Sequence, residues 1–236
     1  MAFRSLCLLG AVAFCFVGCG ATLEPSAGRP MVVYASQSGG ATLDNGEGGG
    51  NPFASALVEL LEEPTVDIAD LVDLTKKKSR GFQIPEVAPA GLSARFTRAE
   101  TLAGSEYQAL VLVYSDYDKT EWSSLPGADR DRKRVAAALR KKGFAVEESS
   151  NPTREALRAS LERLAERSKA AKVALLYVTG HGCENNEQVY LLPNDFPSKE
   201  FTEETASYAL EVESMQAYLL ASDVNLVLYG GCRTYK

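Results

Sequence analysis

The chain has 236 residues, 45% of them hydrophobic, and a formal net charge of -6, enough apolar material for one domain with a substantial core. Its acidic balance, with a pI near 5.1 and no long run of Lys or Arg, excludes the electrostatic footprint that binding to a phosphate backbone requires, so nucleic acid is not an expected partner. A single histidine and the lack of any Cys-x-x-Cys pair exclude the usual zinc spacings.

At the start of the chain Arg4 precedes an apolar run from Leu6 to Val17, with the small residue Gly18 at a cleavage point. Residues 1–18 are therefore predicted to be a secretory signal, since the run is shorter than the roughly 20 residues of a membrane-spanning helix. Val17-Gly18-Cys19 resembles a bacterial lipobox, with Phe16 where Leu is usual, and this makes Cys19 the expected site of lipidation. An ordinary signal peptide cut nearby is the alternative. Residues 19–30, with Pro25, Gly28 and Pro30, read as a linker.

Met31 to Ala35 is an abrupt apolar run and predicts a buried strand. The glycine-rich stretch from Ser38 to Gly50 predicts an irregular loop. From Pro52 to Glu63, Phe53, Leu57, Leu60 and Leu61 fall at helical spacing behind Asn51 as N-cap and Pro52 as first helical residue. A second helix carries Ile68, Leu71 and Val72 and closes on Lys76-Lys77-Lys78, a basic run suited to a helix C-terminus. Residues 89 to 106 show little periodicity and read as a connector.

Thereafter strands and helices alternate. Ala109 to Ser115 is an apolar strand, Asp129 to Lys142 a helix closed by Gly143, and Phe144 to Glu147 a second strand. A helix over 153–168 buries Leu157, Leu161 and Leu164. Lys172 to Val178 is a third strand and Asn225 to Tyr229 a fourth, with a helix around Val212, Met215 and Leu219 between them. The pattern predicts an α/β fold built on a mostly parallel sheet with helices on both faces, and sites in such sheets gather beyond the strand C-termini.

Two strand ends carry reactive side chains beside glycine: Gly180-His181-Gly182 and Gly230-Gly231-Cys232. If the two strands are adjacent and parallel, at a spacing of about 4.8 Å, the imidazole of His181 reaches the thiol of Cys232. That is the layout of a Cys-His dyad, in which the imidazole draws the thiol proton and returns it to the leaving amine. Backbone N–H groups of Gly182 and Cys232 are the expected oxyanion donors. The competing reading of the cysteines is a disulfide between Cys183 and Cys232, available to an exported protein.

The stretch from Ala109 to Arg233, with Tyr117, Leu125-Pro126-Gly127-Ala128, Asp131, Gly143-Phe144, Asn151-Pro152-Thr153, Gly180-His181-Gly182 and Gly231-Cys232-Arg233, resembles the large-subunit half of the caspase, paracaspase and bacterial metacaspase-like peptidases. In that family a small-subunit half follows the nucleophile, whereas here little chain remains after Cys232. Residues 31–90 resemble that half, with Tyr34-Ala35-Ser36, Gly39, Leu43-Asp44, Pro52-Phe53, Leu57 and Gln83-Ile84-Pro85 in the family's order.

The resemblance implies a caspase-like, mostly parallel six-stranded sheet, circularly permuted. A small-subunit-like half (31–90) precedes a connector (91–107) and a large-subunit-like half (108–236), with 31–236 forming one domain. Exposed loops tolerate such reopening when the old termini lie close. The expected activity is that of a cysteine endopeptidase with His181 and Cys232 as its dyad, acting on peptides or proteins. Basic-specific relatives place carboxylates in the pocket for the residue before the scissile bond, and Asp44 and Asp131 stand at matching positions, which implies cleavage after Arg or Lys. The Asp that such relatives carry two residues before the nucleophile is here Gly230, which leaves a catalytically weak or inactive caspase-like scaffold lipoprotein as the alternative. The chemistry needs no cofactor. Some metacaspases use calcium, and the loop carrying Asp44 and Glu47 has no EF-hand pattern, so calcium stays open. An exported chain anchored at Cys19 would reside in the bacterial cell envelope.

Overall fold

The computed structural model describes residues 24–25, 28–46, 49–98 and 106–235. The predicted signal and Cys19 lie outside these residues. In chain order the elements are β1 (Glu24–Pro25), β2 (Pro30–Tyr34), α1 (Pro52–Leu60), β3 (Thr65–Asp67), α2 (Ile68–Lys78), β4 (Glu86–Ala88), β5 (Leu92–Ser93), β6 (Arg95–Thr97) and β7 (Tyr107–Val113). They continue with α3 (Pro126–Lys142), β8 (Ala145–Ser150), α4 (Arg154–Ser168), β9 (Val173–Thr179), β10 (His181–Asn185), β11 (Gln188–Leu192), α5 (Glu203–Ala206), β12 (Leu210–Glu211), a 3-10 turn (Glu213–Tyr218) and β13 (Val224–Tyr229).

A six-stranded sheet in the order β4-β2-β13-β9-β7-β8 forms the centre. Every neighbouring pair is parallel except β4, which runs antiparallel to β2 at one edge. The inner strands β2, β13, β9 and β7 read as largely apolar runs because both of their faces are covered, whereas the edge strands β8 and β4 carry Glu and are only partly buried. Along β2, Met31 and Val33 face a layer with Phe53 and Leu57 of α1, Leu71 of α2 and Val135 and Leu139 of α3. Val32 and Tyr34 face the opposite layer with Leu157, Leu161 and Leu164 of α4 and with Met215. The alternation is that of a strand whose successive side chains point to opposite faces.

The sheet joins the two halves of the chain. β2, the first central strand in sequence, pairs in register with β13, the last, Met31 opposite Leu226 and Tyr34 opposite Tyr229. Residues 31–90 therefore share one core with residues 108–235.

Local chemistry explains the helix ends. Asn51 caps α1 by accepting the Phe53 N–H at 2.8 Å, with Pro52 in the first turn where its missing N–H costs nothing. Gly143 ends α3 with φ 104°, a left-handed conformation suited to a residue without Cβ.

Three expectations change. The helix expected around Val212, Met215 and Leu219 is the 3-10 turn Glu213–Tyr218, whose three-residue period puts apolar side chains at nearly the same spacing over so short a run. The connector holds β5 and β6, and β6 pairs antiparallel with β3, supported by an Arg95–Asp67 ion pair at 2.6 Å; strands of two and three residues leave no periodicity to read. Third, the chain after His181 continues as the hairpin β10–β11. Its turn residues Asn186 and Glu187 both have positive φ, 49° and 66°, as a type I′ turn requires, yet Asn-Glu is not the usual sequence for one.

Candidate active site

β9 and β13 are adjacent and parallel, with Val178 opposite Tyr229. His181 and Cys232 each follow that aligned pair by three residues, so both leave the sheet at the same edge. They line one cavity of about 130 Å³ together with Thr42, Asp44, Asp131 and Gly230. That is room for one side chain rather than for a drug-sized ligand. A larger cavity of about 680 Å³ lies away from these residues, between the end of α1, the end of α3 and β6.

The imidazole of His181 is held on three sides. Its ring meets Tyr117 edge-on at 4.6 Å and Trp122 at 4.8 Å. Its backbone N–H donates to the Tyr117 hydroxyl at 3.0 Å, and Nε2 stands 2.8 Å from the carbonyl oxygen of Ser123. A carbonyl can only accept, so Nε2 carries the proton and the neutral ring keeps Nδ1 as its base. Burial lowers the pKa of His181 below its ordinary 6.5, against smaller opposing contributions from the Ser123 carbonyl and the charge of Asp44. The ring is thus neutral, and able to take a proton, over more of the pH range.

Cys232 Sγ receives the backbone N–H of Thr42 at 3.3 Å, and Thr42 Oγ1 lies 3.4 Å away. Cys183 is a separate thiol, buried in a small cluster with Leu192 and Phe196, and no disulfide joins it to Cys232. Gly182, in β10, packs so closely on the segment that carries Cys232 that a Cβ there would stand 1.7 Å from the Tyr229 hydroxyl and 2.9 Å from the carbonyl oxygen of Cys232.

The two carboxylates are brought together. Asp44 Oδ2 accepts the N–H of Gly127 in the first turn of α3 at 3.1 Å, where the helix dipole favours negative charge. Asp131, only 1% exposed, accepts the N–H of Asn51 at 2.7 Å and lies 3.3 Å from Arg134 Nη1. Burial pushes the Asp131 carboxyl up to about 6; the Asn51 N–H and Arg134 pull it down, and the Asp44 charge adds to the rise. Gly50 must be a glycine because a Cβ there would meet Asp131 Oδ1 at 1.9 Å.

Sequence reasoning missed the residues that fix this site from behind. Arg233, next to Cys232, is 7% exposed. Its Nε meets Glu184 Oε2 at 3.0 Å and its Nη1 meets Glu86 Oε2 at 2.5 Å and the carbonyl of Ser36 at 3.3 Å, while its guanidinium lies 4.3 Å over the Tyr34 ring. It ties β10, β4 and the end of β2 to the segment that holds Cys232. Replacing Arg233 with Ala leaves the buried Glu184 uncompensated and is expected to lower the unfolding free energy by about 3–5 kcal/mol, read from urea unfolding of the two proteins side by side.

Compared with known proteins, residues 107–222 match the family model described as "Caspase domain". Over that stretch, which includes His181, the chain is caspase-like, and residues 31–90 and Cys232 lie outside the match. Among solved structures, caspase-1 from Spodoptera frugiperda is similar at 17% identity with a TM-score of 0.42, over 56% of this chain and 50% of that one. The chain thus spans about half the length of that relative. The search of curated proteins finds no match.

Proposed function

We propose that this chain is a cysteine endopeptidase that cleaves after Arg or Lys, with Cys232 as nucleophile and His181 as general acid and base. The observation that carries the reading is that one side-chain-sized cavity is lined by the only histidine, by a thiol at the end of the adjacent parallel strand, and by two carboxylates. Two anionic groups in a pocket that small select a cationic side chain.

In the reaction Nδ1 of His181 takes the thiol proton, and the Cys232 thiolate attacks the carbonyl carbon of the residue whose basic side chain lies against Asp44 and Asp131. The N–H groups of Gly182 and Cys232 receive the oxyanion. His181 then protonates the leaving amine, and water, deprotonated by the same ring, releases the acid from the thioester. These steps draw on no cofactor.

The same proposal takes residues 31–90 as a small-subunit-like half that stands before its large-subunit-like partner, 108–236, as in a circular permutation. Its support is that Thr42 and Asp44 reach the cavity from the first half while β2 lies beside β13. Export and anchoring through a lipidated Cys19 also belong to it; intact mass of the processed protein tests them, and a free N-terminus anywhere else ends that part.

Fluorogenic peptides ending in Arg, Lys or Asp test the activity. Release from the basic peptides and none from the Asp peptide is expected; silence on all three would falsify the peptidase reading. The pH profile follows from the two perturbed groups. As pH falls through about 6, Asp131 takes up a proton and the KM for Arg peptides rises. The acid limb of kcat, set by His181, lies below its ordinary 6.5.

A further inference from the structure

Tyr177 lies in β9, two residues before Thr179 and on the same face. Its ring is packed among the apolar side chains between the sheet and the helices α1, α2 and α3. Its hydroxyl is fully buried and, among the described residues, has no hydrogen-bond partner. A buried phenol left unpaired costs about 1–3 kcal/mol, so its persistence calls for a reason.

The hydroxyl's position supplies one. A Cβ built on Gly230 would stand 3.3 Å from the Tyr177 hydroxyl and 3.0 Å from Thr179 Oγ1. Gly230 and Thr179 both line the cavity of His181 and Cys232. The hydroxyl therefore lies directly behind two residues of the cavity wall, on the side toward which a side chain at 230 would point.

Resting on the reading above, we infer that the Tyr177 hydroxyl is the innermost polar contact of the specificity pocket and makes it select arginine over lysine. A guanidinium presents five N–H donors in a planar fork, and its outer nitrogens extend one bond beyond the point where a lysine side chain ends in its ammonium. Asp44 and Asp131 take part of the fork, and the phenol oxygen accepts a further N–H. A lysine ammonium engages the carboxylates and leaves the hydroxyl unpaired. A site built to hydrogen-bond a group discriminates strongly against an analogue that does not reach it.

The test compares kcat/KM for matched Arg and Lys peptides in the wild type, Tyr177→Phe and Gly230→Ala. In Tyr177→Phe the Arg-to-Lys ratio falls by about tenfold, with the loss carried in KM. The rate of Cys232 alkylation by iodoacetamide stays the same, and the thermal midpoint stays or rises because an unpaired polar group has been removed. Gly230→Ala sets a methyl between hydroxyl and cavity and lowers the same ratio with Tyr177 in place. A binding arm needs no turnover: the Cys232→Ala protein, titrated with agmatine and with 1,5-diaminopentane, prefers agmatine, and adding Tyr177→Phe removes the preference.

An Arg-to-Lys ratio unmoved by Tyr177→Phe overturns the inference, as does equal binding of the two amines or binding of neither. Cleavage after Arg with that ratio unmoved leaves the peptidase reading standing. Preference for agmatine without any turnover leaves this inference standing and removes the peptidase reading.

Discussion

Replacing Cys232 by Ala is expected to lower kcat/KM for Arg-terminated peptides by at least about a thousandfold, and His181→Ala to fall to the same floor. The double variant should be no worse than either single one, since a nucleophile and its base act as a unit. The expectation follows from the register of β9 on β13, which brings both strand ends to one edge, and from the Ser123 carbonyl, which holds Nε2 and leaves Nδ1 as the base. Neither side chain belongs to the two main layers of the core, so near-UV circular dichroism of both variants should match the wild type. Equal activity in wild type and Cys232→Ala removes the dyad from the account.

Asp131→Asn is expected to act in two directions at once. It lowers kcat/KM for Arg peptides by about a hundredfold by removing a charge from the pocket, and it stabilises the protein at pH 7. The sign follows from the carboxyl's folded pKa, about 6 against an ordinary 3.8. The folded state holds the proton more tightly, so this group's contribution is most favourable below 3.8, is lost as pH rises between 3.8 and about 6, and stays lost above. A shift of that size corresponds to about 3 kcal/mol. Asn keeps one acceptor for the Asn51 N–H, and the attraction of Arg134 is already counted in that net shift, so the expected gain is about 1–3 kcal/mol once imperfect replacement of the second carboxylate oxygen is allowed for. Urea unfolding at pH 7 and pH 4 checks it: the variant is the more stable at pH 7, and the gap narrows or reverses at pH 4. A variant less stable than the wild type at pH 7 contradicts the reading of Asp131 as a charge held in the pocket at a cost to stability.

How much of this was legible in the sequence depended on what carried the signal. The central strands were visible because burial on both faces makes each one a nearly continuous apolar run, broken only by Thr179 in Val173–Thr179 and by Asn225 in Val224–Tyr229. His181 and Cys232 stood out as reactive side chains set beside glycine at the ends of such runs. The parts made by backbone atoms left no trace: nothing about Ser123 as a residue type announces that its carbonyl holds the imidazole, and the N–H that Thr42 gives to Cys232 would be there with almost any side chain. Arg233 and Glu184 lie 49 positions apart, and only the fold pairs them. Tyr177 read as one more member of an apolar strand, and only the position of its hydroxyl beneath Gly230 separates it from its neighbours.

The most direct measurement is the site of attack on a substrate-like electrophile. The purified protein is incubated with a peptidyl chloromethyl ketone ending in Arg, digested and mapped by mass spectrometry. The account predicts a single adduct on Cys232, slowed by His181→Ala and by Asp131→Asn, with the matching Asp-ended reagent inert. An unmodified Cys232, or equal labelling by the Arg-ended and Asp-ended reagents, contradicts it.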